Sequence, residues 1–280
     1  MFNLLLAVAM ILPPVQQAAS APTSEPAPIR VSNKEADDHS INHDLLYLRA
    51  ANGPRFPGIT ITVVVDTTGS IVSALALPEN QENDTQPALL VQAEAMVRGL
   101  QFKPFYRYGH PVSVSFERYV TTLPLELKLD QRVPFPEVHD WNSIKITLER
   151  TVCYGMCAAY KVELHGDGTV LYEGQSSVAI TGIQHASVPQ ANIVELVKLF
   201  EQADYYSLRS EYKSRITDNP TQTTSIEIDG QRKQIVDYVG LYVGMPVSVM
   251  KLEEAIDRLS GDTRWVHGPA APSSATGERN

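Results

Sequence analysis

Three tight turns punctuate this chain between apolar or β-branched runs: Asp66-Thr67-Thr68-Gly69, Gly166-Asp167-Gly168 and Asp229-Gly230. Gly and Asp tolerate the left-handed backbone that two-residue hairpins require, so each turn predicts a pair of antiparallel strands. Residues 59–65, Ile-Thr-Ile-Thr-Val-Val-Val, enter the first turn and residues 70–77 leave it. Residues 160–165 and 169–172 flank the second, and residues 225–228 and 234–238 flank the third. Residues 111–120 alternate Val112, Val114 and Phe116 against Ser113, Ser115 and Glu117, a half-buried strand.

Helical periods interrupt these runs. Leu89, Leu90, Ala93, Val97 and Leu100 recur at helical spacing before Pro104. Ile193, Leu196, Val197 and Phe200 form a stripe behind Pro189, and Val249, Leu252, Ile256 and Leu259 form another behind Pro246. Strands and helices that segregate in this way define an α+β fold, with antiparallel sheets packed by one or two helices each. A length of 280 residues fits two small domains. We place them at 45–123 and 143–266, joined by a Pro-containing linker at 124–142 with Pro124, Pro134 and Pro136. Residues 22–44, rich in Ala, Pro, Ser and charge, read as a disordered linker, and residues 267–280 as a disordered tail.

Residues 1–21 have the form of a signal peptide. An apolar run from Leu4 to Leu12 precedes Pro13-Pro14 and the small residues Ala18-Ala19-Ser20-Ala21, although its start carries no Lys or Arg. The run is shorter than the roughly 20 apolar residues that span a bilayer, and no later segment qualifies. The expected location is therefore periplasmic or otherwise exported, without a transmembrane segment. A formal charge of −9 argues against nucleic acid as a partner, because phosphate binding rests on Lys and Arg.

The only two cysteines, Cys153 and Cys157, stand in Cys153-Tyr154-Gly155-Met156-Cys157. If Val152 ends a strand and Ala158 begins the next, the two face each other at about 4.5–5.5 Å between Cα atoms, inside the disulfide range of about 4.4–6.8 Å. In an oxidising compartment the reading is a structural disulfide that pins a turn displaying Tyr154 and Met156. The alternative is a thiol-redox or copper-handling pair, with Met156 adding a soft ligand.

No other cluster has catalytic or ligand spacing. His39 and His43 stand i,i+4 without a third ligand, and the remaining histidines are scattered. Asp218 precedes Asn-Pro-Thr, where an Asx turn accounts for it, and Asp229 belongs to its hairpin. Asp237 has no such local role and is a candidate buried acceptor. The aromatics are denser in the second domain, and Tyr160 and Tyr238 join Tyr154, Met156, Asp218 and Asp237 as candidate binding residues. We expect no cofactor, no metal and no catalytic residue, hence a binding or envelope-interaction protein.

Two resemblances sharpen this. Val63-Val64-Val65-Asp66-x-x-Gly69, the helix through Ala93 and Val97, Phe102-Lys103-Pro104 and Gly109-His110-Pro111-Val112 together resemble the C-terminal domain of TonB-type energy transducers. The resemblance implies a β-β-α-β unit that pairs an edge strand, here residues 111–120, with an envelope protein or peptide. The membrane anchor and long spanning linker of that family are missing from the pattern. Cys153-Tyr154-Gly155-Met156-Cys157-Ala158-Ala159-Tyr160, with Gly166-Asp167-Gly168, Val236-Asp237-Tyr238 and Trp265, resembles a bacterial domain family of unknown function marked by Cys-Tyr-Gly-x-Cys-Pro-x-Tyr. Ala158 stands where that motif has Pro. This resemblance implies a fold and no reaction.

Overall fold

The computed structural model describes residues 26–42, 45–51, 58–77 and 86–268. The expected signal segment 1–21, His43 and the tail from 269 lie outside the described residues. The fold is α+β, built on two larger sheets with separate hydrophobic cores.

In chain order the first part contains β1 (Ile29–Arg30), α1 (Asn33–His39), β2 (Tyr47–Arg49), β3 (Gly58–Val65), β4 (Ile71–Ala76), α2 (Pro87–Arg98), β5 (Phe105–Arg107), β6 (His110–Val112) and β7 (Val114–Leu123). Ile59, Ile61, Val63 and Val65 alternate into the core of β3, each fully buried, as β-branched residues on a pleat do. β3 pairs antiparallel with β4 on one side and with β7 on the other. The β3–β4 turn is held by Asp66, whose carboxylate accepts from the Thr68 and Ser70 amides at 2.8 and 3.0 Å. Gly69 sits at φ 91°, and a Cβ there would lie 2.3 Å from the Phe102 carbonyl oxygen. Pro87 opens α2, which buries Leu89, Leu90, Ala93 and Val97.

Two expectations for this part are corrected. Residues 29–41 are not an irregular linker: Ser32 caps α1 by accepting from the Glu35 amide at 3.1 Å, and Val31 and Ala36 are buried in the core. The expected strand at 111–120 is two strands. β6 turns back on β5, while β7 lies inside its sheet rather than at an edge. The free side of β7 is covered by β1 and β2, both parallel to it. The outer side of β4 is also engaged, since Ala76 N donates to Glu94 Oε1 at 2.8 Å and Ala74 O accepts from Arg98 Nη2 at 2.9 Å.

The second part contains β8 (Lys145–Arg150), β9 (Ala159–His165), β10 (Thr169–Ser176), β11 (Gly182–Ser187), α3 (Gln190–Gln202), β12 (Glu211–Lys213), β13 (Gln222–Ile228), β14 (Gln231–Tyr238), α4 (Val247–Ser260) and α5 (Thr263–Val266). Its seven strands run in the order β11-β10-β9-β8-β13-β14-β12. All pairs are antiparallel except β12 with β14. The parallel strands of both sheets are two or three residues long and lie beside a longer strand reached by a long connection, as parallel pairing demands. The stripes of α3 and α4 pack into one core with Ile146, Leu148, Val162, Leu164 and Ile226.

Residues 124–140 carry no regular element, and they are not free. Leu127 N donates to Gly244 O at 2.9 Å, and Phe135, Val138 and Trp141 pack on the second core. Arg49 ties the two parts together: it donates to Pro124 O at 2.7 Å and Met245 O at 2.8 Å, and pairs with Glu126.

Candidate functional site

The site grows out of strand register in the second sheet. The inward positions of β8 run Ile146, Leu148, Arg150, so two apolar residues are followed by a cation. Arg150 lies opposite Tyr160 on β9 and opposite Gln222 on β13, and Gln222 lies opposite Asp237 on β14. Residues facing each other across paired strands share a face. One end of the helix-covered face therefore carries a polar row, Tyr160–Arg150–Gln222–Asp237. α4 crosses above it with Glu253 and Asp257, which share a helix face at i,i+4 spacing. Asp262 follows, just past the Gly261 cap of α4.

Hydrogen bonds knit part of this cluster. Arg150 Nη2 donates to Asp257 Oδ2 at 2.8 Å and Nε to the Tyr160 hydroxyl at 3.0 Å. Tyr160 in turn donates to Asp257 Oδ1 at 2.7 Å. Asp237 Oδ1 accepts from the Gly240 amide at 2.6 Å, the buried-acceptor role expected of it. Glu253 Oε1 and both oxygens of Asp262 are buried without a hydrogen-bond partner.

The electrostatics follow. Burial pushes the Glu253 carboxyl well above the usual range, and neighbouring Asp237 and Asp257 add to this against the pull of Arg150. Burial likewise raises Asp237. Asp262 is raised by burial and by the Asp257 carboxylate beside it. Burial works against the Arg150 charge, but Asp257, Tyr160 and Glu253 more than offset it. Burial and Asp257 together raise the Tyr160 hydroxyl.

A cavity of about 320 Å³ opens over this row, with Arg150, Asp237, Glu253 and Glu254 in its walls and Leu241 and Met250 as apolar lining. Two backbone features shape its rim. Val239 takes φ 53°, a left-handed conformation that costs a β-branched residue strain. Gly240 leaves no room for a side chain, since a Cβ would lie 2.7 Å from Tyr212 Cβ and 2.8 Å from Asp237 Oδ1.

The cysteine loop lies beside this cavity along the chain. Cys153 and Cys157 are disulfide-bonded with Cα atoms 5.6 Å apart. They stand inside an eight-residue connection, 151–158, rather than at the ends of β8 and β9 as expected. The loop is anchored on the 217–221 segment, with Tyr154 N donating to Asp218 O at 3.2 Å and Thr221 N to Thr151 Oγ1 at 2.9 Å. Asn219 and Pro220 of that segment line the cavity. Tyr154 and Met156 point outward, 89% and 95% exposed.

The structure thus divides the six candidate binding residues. Tyr160 and Asp237 share the buried row, Tyr154 and Met156 form the exposed loop tip, and Asp218 anchors that loop through its carbonyl. Tyr238 faces away from Asp237 on β14, where its hydroxyl accepts from the Asn219 amide at 3.4 Å. His39 stacks on Phe105 at 4.2 Å between ring centres, a packing role. Arg150, Gln222, Glu253, Asp257 and Asp262 were not singled out from the sequence. The legible signal was a polar residue ending an otherwise apolar inward alternation, joined to an i,i+4 acid pair inside an amphipathic helix.

These features define an α+β unit with a partly buried polar row and a disulfide-closed loop. Residues 144–260 match the family described as Domain of unknown function (DUF6438), so a domain of that family is found in the C-terminal part of the chain. No curated protein matches the chain. Among the described residues, no helix is long and apolar enough to cross a membrane.

Proposed function

We propose that this is an exported, periplasmic binding protein that meets envelope partners and has no catalytic site of its own. The observation that carries the reading is the pinned loop. A disulfide and two backbone anchors hold Tyr154 and Met156 almost fully in solvent, with exposed Val152 beside them in sequence. Tyr and Met are residue types enriched in protein interfaces. Fixing them before contact removes ordering cost from association. A disulfide also fits an oxidising compartment, in keeping with the signal-like start of the chain.

The first part is in keeping with the reading: β3, β4, α2 and, after the short β5–β6 hairpin, β7 follow one another as the resemblance to the TonB C-terminal domain implies. Strand addition to β7 is not part of the proposal, because β1 and β2 occupy that side. The docking surface is assigned to the loop instead.

The test is a photo-crosslinking residue placed at Tyr154 in exporting cells, with the exposed Glu173 position as control. We expect discrete adducts from 154 alone, lost when Cys153 and Cys157 are both replaced by Ser. Equal labelling from both positions, or none, removes the assignment. Stoichiometric Cu(I) binding by the reduced protein would move it to copper handling.

A further inference from the structure

We infer that the cavity over Arg150, Asp237 and Glu253 is a binding site for a small aliphatic amine in its ammonium form. This goes beyond the docking role of the loop and does not depend on it.

The charge count comes first. Asp237, Glu253 and Glu254 line the cavity against one cation, Arg150. That cation is already engaged, through Nη2 with Asp257 and through Nε with Tyr160. Three carboxyls thus share the wall with one guanidinium that directs two of its nitrogens to Asp257 and Tyr160, which leaves the wall rich in acceptors. Asn219 adds to it, because its Nδ2 donates to Thr217 O at 2.8 Å, which leaves its side-chain oxygen as acceptor.

The second observation is Glu253 itself. It is 4% exposed on a helix that packs over the sheet, and its Oε1 is buried with no donor. A buried acceptor without a donor costs about 1–3 kcal/mol, and a buried carboxylate without a countercharge costs more. Core positions of α4 are otherwise apolar or small, so an acid here is a local conflict with the fold. A ligand cation delivered to this wall resolves the conflict. An ammonium group supplies three donors and a full charge with no acceptor of its own, which matches Glu253, Asp237 and Asn219.

Size and lining narrow the class. A cavity of about 320 Å³ is at the small end of ligand pockets. Val239, Leu241 and Met250 present apolar surface that suits methylene groups. Among the described residues, no group of three or more His, Cys, Asp or Glu is arranged to hold a metal ion, so an organic cation fits better than a bare one.

The experiment is calorimetric titration of the full exported protein with 1,4-diaminobutane, at constant ionic strength, beside 1-butanol and potassium chloride. The expected result is one site for the diamine and none for the alcohol or the salt. Glu253→Gln keeps the side-chain shape, removes the charge and should weaken binding at least about tenfold. Leu241→Trp, which fills the cavity without changing charge, should abolish binding. Replacing Tyr154 and Met156 by Ser should leave diamine binding unchanged, so loss of partner docking and loss of amine binding report separately. Absence of diamine binding, equal binding by Glu253→Gln, or equal binding of potassium overturns the proposal.

Discussion

The two parts of this chain are built by the same recipe and differ in what they bury. In the first, the core between β3, β7 and α2 is apolar throughout, and among the described residues only Ser40 and Thr122 are buried polar ones. Its charged pairs sit at the rim, such as Arg30 with Glu117 at 2.6 Å, or at the margin of the core, where the Arg118 side chain is 13% exposed and pairs with Asp37. In the second, Asp237, Glu253 and Asp262 are buried, and Arg150, Tyr160 and Asp257 join them where α4 crosses the sheet. An all-apolar core is what folding alone selects, because each buried charge costs desolvation energy that close pairing only partly returns. The contrast marks the first part as scaffold and the second as the place where stability is given up for a site. Local conflict with folding rules is where function is to be sought.

The largest test of that contrast removes one cation from each part. Arg150→Ala strips the only positive group from a buried acid cluster and should cost about 3–5 kcal/mol. Arg30→Ala at the exposed rim should cost at most about 1 kcal/mol. Urea unfolding curves for both variants decide it, and similar midpoints would erase the distinction drawn here.

The next test uses pH. Glu253 and Asp237 have raised carboxyl affinities in the fold, so the folded state holds more protons than the unfolded chain once pH passes the ordinary carboxylate range. Their favourable contribution is full below that range and is lost as pH rises through the folded values. Above the ordinary carboxylate range, stability of the second part should therefore fall with rising pH, whereas Asp229, Glu163 and Asp167, whose carboxyls are lowered, act in the opposite sense below it. Glu253→Gln should reduce that fall and stabilise the protein by about 1–3 kcal/mol at pH 8, with little change near pH 4. Unfolding midpoints at the two pH values measure the difference, and a variant less stable than wild type at pH 8 would mean that Glu253 has a partner in the fold.

Replacing Cys153 and Cys157 by Ser opens a five-residue ring and should cost about 2 kcal/mol on the chain-entropy account. Amide exchange should quicken at Tyr154, whose N–H bonds to Asp218, and stay unchanged in β3 and β7. The smallest effect concerns the cap of α1. Ser32→Ala should cost about 1 kcal/mol, which shows as a lower midpoint for the first part. No change would detach residues 29–41 from that fold.

The elements legible in advance were those marked by local chemistry. The Asp66–Gly69, Gly166–Gly168 and Asp229–Gly230 turns stand where their residue types place them, with β-strands on either side. The stripes on α2, α3 and α4 are the expected ones. The helix at Asn33–His39 was missed: Ser32-x-x-Glu35 has the form of a capping box, but the surrounding Ala, Pro and charge led to a linker reading. β1 and β2 were not legible. Two- and three-residue strands carry no period, and only the free side of β7 gives them a partner.

The sequence by itself determined the α+β class, the hairpins, the apolar faces and the closeness of the two cysteines, because each rests on residues within a few positions of one another. The tertiary structure alone decided which strand became an edge and which acids met which cation. Arg150, Tyr160, Gln222 and Asp237 come from four strands spread over 88 positions of numbering, and only register brings them into one row. The burial of Tyr160 and Asp237 in that row, and the unpartnered oxygen of Glu253 above it, depend on how a helix about 100 residues after β8 packs across the sheet. Electrostatic interaction and desolvation act through distance in space, so no local pattern encodes them.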